Sequence, residues 1–184
     1  MTSGSYPQRA DQPDPAAASS ELWRPSPDWS EAAIERAGWA VRAGPRPWQV
    51  LLGGDVDLAI ATLAPGAPRI GLWAIVDAGS PYAVTIGRDK ALLVTPVAGV
   101  CVSGWRPQGW SATVADSSYQ ILEFSGAGAL DLLRAAVSTH LDRPSRSAAV
   151  QVAGFPVLLY RRSSTQAVVH VEHALATGLW TWLL

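Results

Sequence analysis

Residues 121–142 read ILEFSGAGALDLLRAAVSTHLD, and what this stretch becomes decides the fold. A run of β-formers from Ile121 to Phe124 meets two glycines, Gly126 and Gly128. It then passes into a helical pattern with Leu130, Leu133 and Val137 at i, i+3 and i+7. Those three build one apolar face, with Asp131 and Arg134 largely off it, so the helix is expected to pack on a sheet. A strand turning through glycine into a helix is also how phosphate-binding loops begin. Such loops need G-x-G-x-x-G, or a second glycine followed by Lys and Ser/Thr. Ser125-Gly126-Ala127-Gly128-Ala129 has neither the third glycine nor the lysine. The corner is expected to be structural, with Ser125 capping the helix and glycine permitting the tight turn.

The same grammar occurs earlier. Trp48 to Leu52 reads as a buried strand, Gly53-Gly54 as a corner, and Val56 to Leu63 as a helix closed by Pro65 and Gly66. Tyr119-Gln120-Ile121-Leu122 echoes Trp48-Gln49-Val50-Leu51, which points to a diverged repeat with halves at about residues 48–96 and 119–184. After an apolar patch, GLWAIV, the run YAVTIGRDKALLVTP gives two strands joined by Gly87-Arg88-Asp89-Lys90. Residues 97–112, with three glycines and two tryptophans, read as irregular. SAAVQVAGFPVLLYRR supplies two strands around Gly154; Ser163-Ser164-Thr165-Gln166 turns into a third, AVVHV. The closing HALATGLWTWLL places Leu175, Leu179 and Trp182 on one helical face, with Gly178 as a weak spot.

Composition bounds the function. At 184 residues the chain suits one well-filled domain. It is 48% hydrophobic and 16% charged, yet no apolar run approaches the roughly 20 residues that span a bilayer. The surplus apolar surface is expected to meet protein. A net charge of −1 with dispersed Lys and Arg offers no basic stripe for nucleic acid. One cysteine, Cys101, excludes a disulfide framework or thiolate cluster, and MTSGSYPQRADQPDPAAASS lacks the apolar core of a secretion signal; both point to the cytoplasm.

Residues 1–28, rich in Pro, Ser, Ala and Asp, read as a disordered tail before a single domain at 29–184. Ser30 is placed to cap a short helix, SEAAIERAGWA.

Catalytic constellations are thin. His170 and His173 flank Glu172, but residues three apart on a strand point to opposite faces, and a third metal ligand is missing. His170 reads as a surface histidine and His173 as a helix-start residue. Cys101 lies in an apolar run without adjacent cations and reads as an inert small hydrophobe. No G-x-S-x-G elbow exists, and the acids are scattered. No catalytic, cofactor-binding or metal-binding residue is nominated in this chain. The positive signal is aromatic: nine tryptophans exceed what one small core absorbs, and tryptophan is enriched at interface hot spots. Trp23, Trp29, Trp39, Trp105 and Trp110 are the candidates for a partner interface.

Several of these landmarks resemble a known family. ILEFSGAGALDLLRAAVSTHLD is similar to the strand, Ser-Gly and helix of the γ subunit of heterotetrameric sarcosine oxidase, itself similar to parts of the glycine-cleavage T-protein. FPVLLYRR resembles that family's strand running into arginine, and Arg161 through Val171 to Leu179-Trp180 keeps its spacing from arginine to a closing helix. Upstream, WQVLLGGDVDLAIATLA and YAVTIGRDKALLVTP resemble its early strand-helix unit and hairpin. The resemblance covers about residues 48–184 and is strongest after Tyr119. The hairpin turn lacks the family's usual proline and glutamate, and residues 97–112 stand where a helix is expected. The Thr-Gly-Glu stretch whose carboxylate helps T-proteins hold folate reads Ser163-Ser164-Thr165-Gln166 here.

The resemblance implies an α+β, T-protein-like fold: two diverged strand-helix-strand repeats, with helices packed on antiparallel sheets. It also implies an accessory role beside large flavoprotein subunits that oxidise an N-methyl amine and carry the FAD, FMN, NAD and tetrahydrofolate. Two alternatives stand beside it. One is a free-standing small-molecule binder or enzyme with the region from Trp105 to Trp110 as a pocket wall; the other is an interaction module for an unrelated partner.

Overall fold

The computed structural model describes residues 25–77, 79–143 and 145–184; Trp23 and most of the proposed tail lie outside them. Chain order begins with β1 (Ala33–Arg36), β2 (Trp39–Ala43), β3 (Trp48–Gly54), α1 (Val56–Leu63), β4 (Arg69–Ile70), β5 (Tyr82–Gly87) and β6 (Lys90–Thr95). It continues with β7 (Gly104–Arg106), β8 (Trp110–Val114), β9 (Tyr119–Ser125), α2 (Ala127–Ala136), β10 (Ala149–Val152), β11 (Phe155–Arg161), β12 (Gln166–Glu172) and α3 (His173–Leu183). Among the described residues these build two six-stranded sheets and three helices, an α+β fold as expected.

Period-two alternation explains the layering. Tyr82, Val84, Leu92 and Val94 of one sheet meet Ile121, Leu158, Tyr160 and Val168 of the other in a central apolar layer. The opposite faces carry helices: α1 covers Val50, Leu52 and Leu93, while α2 and α3 cover Leu122, Phe124 and Val169. The strand orders are β1-β2-β9-β12-β11-β10 and β4-β5-β6-β3-β8-β7. Reading the second backwards gives the same order as the first: a hairpin, a strand that feeds a helix, then three further strands. Neighbours are antiparallel except β4 and β5.

Several expectations are corrected. SEAAIERAGWA forms a β-hairpin, not a helix. Ile34 and Val41 pair across it and both enter the core, Gly38 takes φ 87° at the turn, and so short a helix would be marginal. Ser30 instead closes a tight turn, its backbone and hydroxyl both donating to Asp28 Oδ1. Residues 97–112 are not wholly irregular: β7 and β8 form a hairpin whose second strand pairs along β3. Of the segment's three glycines, Gly109 turns the hairpin at φ 92° and Gly104 opens β7. On α3 the buried face is Ala176, Leu179, Trp180 and Leu183, leaving Trp182 44% exposed. Gly178 leaves room for the Phe155 ring, which a Cβ there would meet at 2.8 Å.

The helix corner at residues 125–128 is also corrected in detail. Ser125 ends β9, and the N-cap is Gly126, at φ 101°, without a side-chain cap. The Gly126 amide donates to Thr165 O at 3.1 Å and that of Gly128 to Gly38 O at 2.9 Å. The corner is closed by its own protein carbonyls.

Candidate functional site

Between the sheets, the apolar layer is crossed by a strip of polar side chains. His170, fully buried on β12, sits 2.8 Å from the Tyr160 hydroxyl through Nε2 and 3.1 Å from Gln49 Oε1 through Nδ1. Tyr160 and Tyr82 share a hydroxyl–hydroxyl hydrogen bond of 2.5 Å, and Arg162 reaches the Tyr82 hydroxyl at 3.0 Å. The Gln49 oxygen only accepts, so Nδ1 carries the ring proton and Nε2 of the neutral imidazole accepts, which fixes the direction of the whole chain. Arg162 donates to Tyr82, Tyr82 to Tyr160, and Tyr160 to His170 Nε2; the Nδ1–H then donates to Gln49.

Burial governs the charge states. Desolvation, and secondarily the Arg162 charge, lower His170 from 6.5 to about 3, so the ring is neutral. Desolvation also raises both tyrosines, Tyr160 well above the usual phenol value. The strip is therefore a neutral relay ending at one cation. The surface position expected for His170 is overturned. Its signal lies in AVVHV, an uninterrupted apolar run that marks a central strand buried on both faces.

At its outer end the strip opens into a cleft of about 530 Å³, lined by Arg42, Val76, Asp77, Glu123, Arg162 and Gln166 among others. A smaller cavity of about 100 Å³, walled by Pro45, Pro47, Pro96 and Tyr82, shares Glu123 and Arg162 with it. Arg162 is half-buried, lies 5.1 Å from the Tyr82 ring centre and 5.6 Å from that of Tyr160, and donates to Asp77 O at 3.2 Å. The ion pairs among the described residues are Arg42–Glu35, Arg69–Asp57, and Arg134 with Asp131 and Asp142. Neither Arg162 nor Glu123 belongs to one. A larger cavity of about 750 Å³ surrounds Arg69, but that side chain is engaged by Asp57, Thr85 and two carbonyls.

No protein-family model and no curated protein matches the sequence. The structure is similar to a chain of the heterotetrameric sarcosine oxidase from Corynebacterium sp. U-96, solved in complex with pyrrole 2-carboxylate. The TM-score is 0.62 at 18% identity, over 82% of this chain and 84% of that one. The fold is similar to that of a sarcosine oxidase chain. At this identity the likeness is one of fold, and it matches the α+β architecture expected from the sequence.

Against that sarcosine-oxidase-like fold, the nominated tryptophans separate. Trp110 is 3% exposed and packs in the core beneath Arg106, so its side chain is not open to a partner. Cross-strand pairing sets Trp105 opposite Ser111 and Arg106 opposite Trp110, so the two tryptophans face opposite sides of the sheet and form no common pocket wall. Trp29 stacks edge-on against Trp180 at 5.6 Å, and Trp39 is half-buried against the same core. Trp105 is 65% exposed, and Val97 and Val102 beside it in sequence are 61% and 77% exposed. Cys101 is partly buried, with its thiol pushed up by desolvation. His173 opens α3 at the surface. Among the described residues no cluster of three His, Cys, Asp or Glu is arranged to hold a metal, and no helix is long and apolar enough to cross a membrane.

Proposed function

We propose that this chain is a non-catalytic accessory subunit, of the γ type, in a sarcosine-oxidase-like flavoprotein complex that oxidises an N-methyl amine. The observation that carries the reading is the likeness to a chain of a heterotetrameric oxidase over near-equal shares of both molecules. Shares that close make the two chains comparable in length, which supports reading this chain as the counterpart of one subunit. The exposed Val97, Val102 and Trp105 support it: they gather apolar surface in one short segment beside the edge strand β7.

In this reading the large subunits hold FAD, FMN, NAD and tetrahydrofolate, and this chain buttresses them. The turn at residues 163–166 contains no carboxylate, and its Ser163 hydroxyl accepts from the Thr165 amide, so it offers no ionic acceptor to a folate ring. Co-expression with amine-oxidising flavoprotein subunits of the same cell tests the proposal. Co-purification in a yellow complex that releases peroxide when given an N-methyl amine is the expected result. A chain that stays monodisperse and alone beside folded flavoprotein subunits would refute it.

A further inference from the structure

The cleft at the outer end of the relay holds two groups of opposite charge that do not satisfy each other. Arg162 uses two of its five N–H donors, on Asp77 O and the Tyr82 hydroxyl, and has no acid in an ion pair among the described residues. Its guanidinium is held over two tyrosine faces, so the remaining donors are fixed in place, as bidentate recognition of a carboxylate requires. Glu123 is half-buried on the central strand β9. The residue directly across from it, Arg42, is 2.8 Å from Glu35 instead. Both Arg162 and Glu123 act electrostatically on the Tyr82 hydroxyl, and both line the larger cleft and the smaller cavity.

A half-buried charge without a partner is costly, and two of opposite sign facing one space are best relieved by a ligand carrying both charges. Glu123 and Asp77 on the rim disfavour a polyanion such as phosphate, and Arg42 and Arg162 disfavour a simple amine. The volume, about 530 Å³, falls in the range of small-molecule sites. We propose that this cleft binds a free α-amino acid as its zwitterion, with the Arg162 fork on the carboxylate and Glu123 receiving the ammonium. Val76 and the apolar floor between the strands would take the side chain. The site is complete within this chain and is independent of the accessory role.

Titration calorimetry of the full chain with each common amino acid, at up to millimolar concentration, tests it. At least one should bind. The deaminated acid and the decarboxylated amine of that amino acid should each bind weaker by about tenfold or more, since each loses one charged contact. Glu123→Gln should make the amino acid bind no better than its deaminated acid. Arg162→Gln should abolish binding, and Arg162→Lys should restore part of it. Should the arginine variants misfold, the ligand series on the natural protein and the glutamate variant decide alone. Absence of binding by every amino acid, or equal binding of amino acid and deaminated acid, would overturn the proposal.

Discussion

The two sheets share a plan, and they differ most just beyond their equivalent strands β6 and β12. Each half turns a strand into a helix through a left-handed glycine, Gly54 at φ 83° and Gly126 at φ 101°. At each corner the glycine amide donates to a meander turn, Asp89 O in one half and Thr165 O in the other. An amide just beyond it donates to a hairpin glycine, Asp55 N to Gly109 O one residue on and Gly128 N to Gly38 O two residues on. A tryptophan follows each hairpin glycine, Trp110 and Trp39. After β12, however, the chain forms α3 and seals its face with Leu179, Trp180 and Leu183. After β6 it runs through residues 96–103 without a helix, packing Val100 and Cys101 inward and leaving Val97 and Val102 outward. The half that lacks a second helix exposes an apolar segment, and there a partner can supply the missing cover.

The largest expected effects break the corners themselves. Gly54→Val and Gly126→Val each place a Cβ against the hairpin glycine carbonyl, at a φ that a β-branched residue avoids. Both should lose about 3–5 kcal/mol in urea denaturation, and by similar amounts. A large loss at one corner only would end their equivalence. Next in size, Leu179→Ala in the sealed half should cost about 2–5 kcal/mol, since its side chain is fully buried.

These corners also mark how much of the fold is legible in sequence. Strand, glycine and helix are readable at both sites because local chemistry dictates them. The alignment of residues 119–122 on 48–51 is nevertheless off by one: the structure matches Gly54 with Gly126, so Gln49 corresponds to Ile121 and not to Gln120. A one-residue slip reverses every face. Gln49 meets His170 between the sheets, while Gln120 donates to Ile121 O and lies in register with Val171, a residue of the helix-covered core. Tryptophan number suggests a docking surface, yet Trp110 is buried in the core and Trp29 and Trp39 are partly buried in packing, which only tertiary contacts decide. The cleft is invisible in sequence for the same reason. Arg162 and Glu123 lie far apart in the chain, and nothing local announces that they share a space.

The polar strip sharpens the comparison through pH. The equivalent of His170 in the first half is Val94, which cannot titrate. His170 falls from 6.5 to about 3 on folding, so between those values the unfolded chain binds the extra proton. Its stability contribution is present above pH 6.5 and is lost as pH falls towards 3, by about 1.4 kcal/mol per pH unit. His170→Gln keeps an acceptor for Tyr160 while removing the titration. Denaturation across this window should show a shallower acid decline in the variant, and parallel curves would mean that the buried ring does not control it.

The smallest effect on stability belongs to the exposed segment. Trp105→Ser and Val102→Ser should shift the isolated chain by less than about 0.5 kcal/mol, because these side chains are in water. The same two changes should weaken partner capture far more than any change on α3 that leaves the fold intact. Affinity capture of the flavoprotein subunits by the natural chain and by the doubly substituted chain, compared side by side, is the decisive measurement. The natural chain should retain the yellow subunits and the folded variant should not. Equal retention by both, or by neither, would contradict docking through the half that lacks its helix.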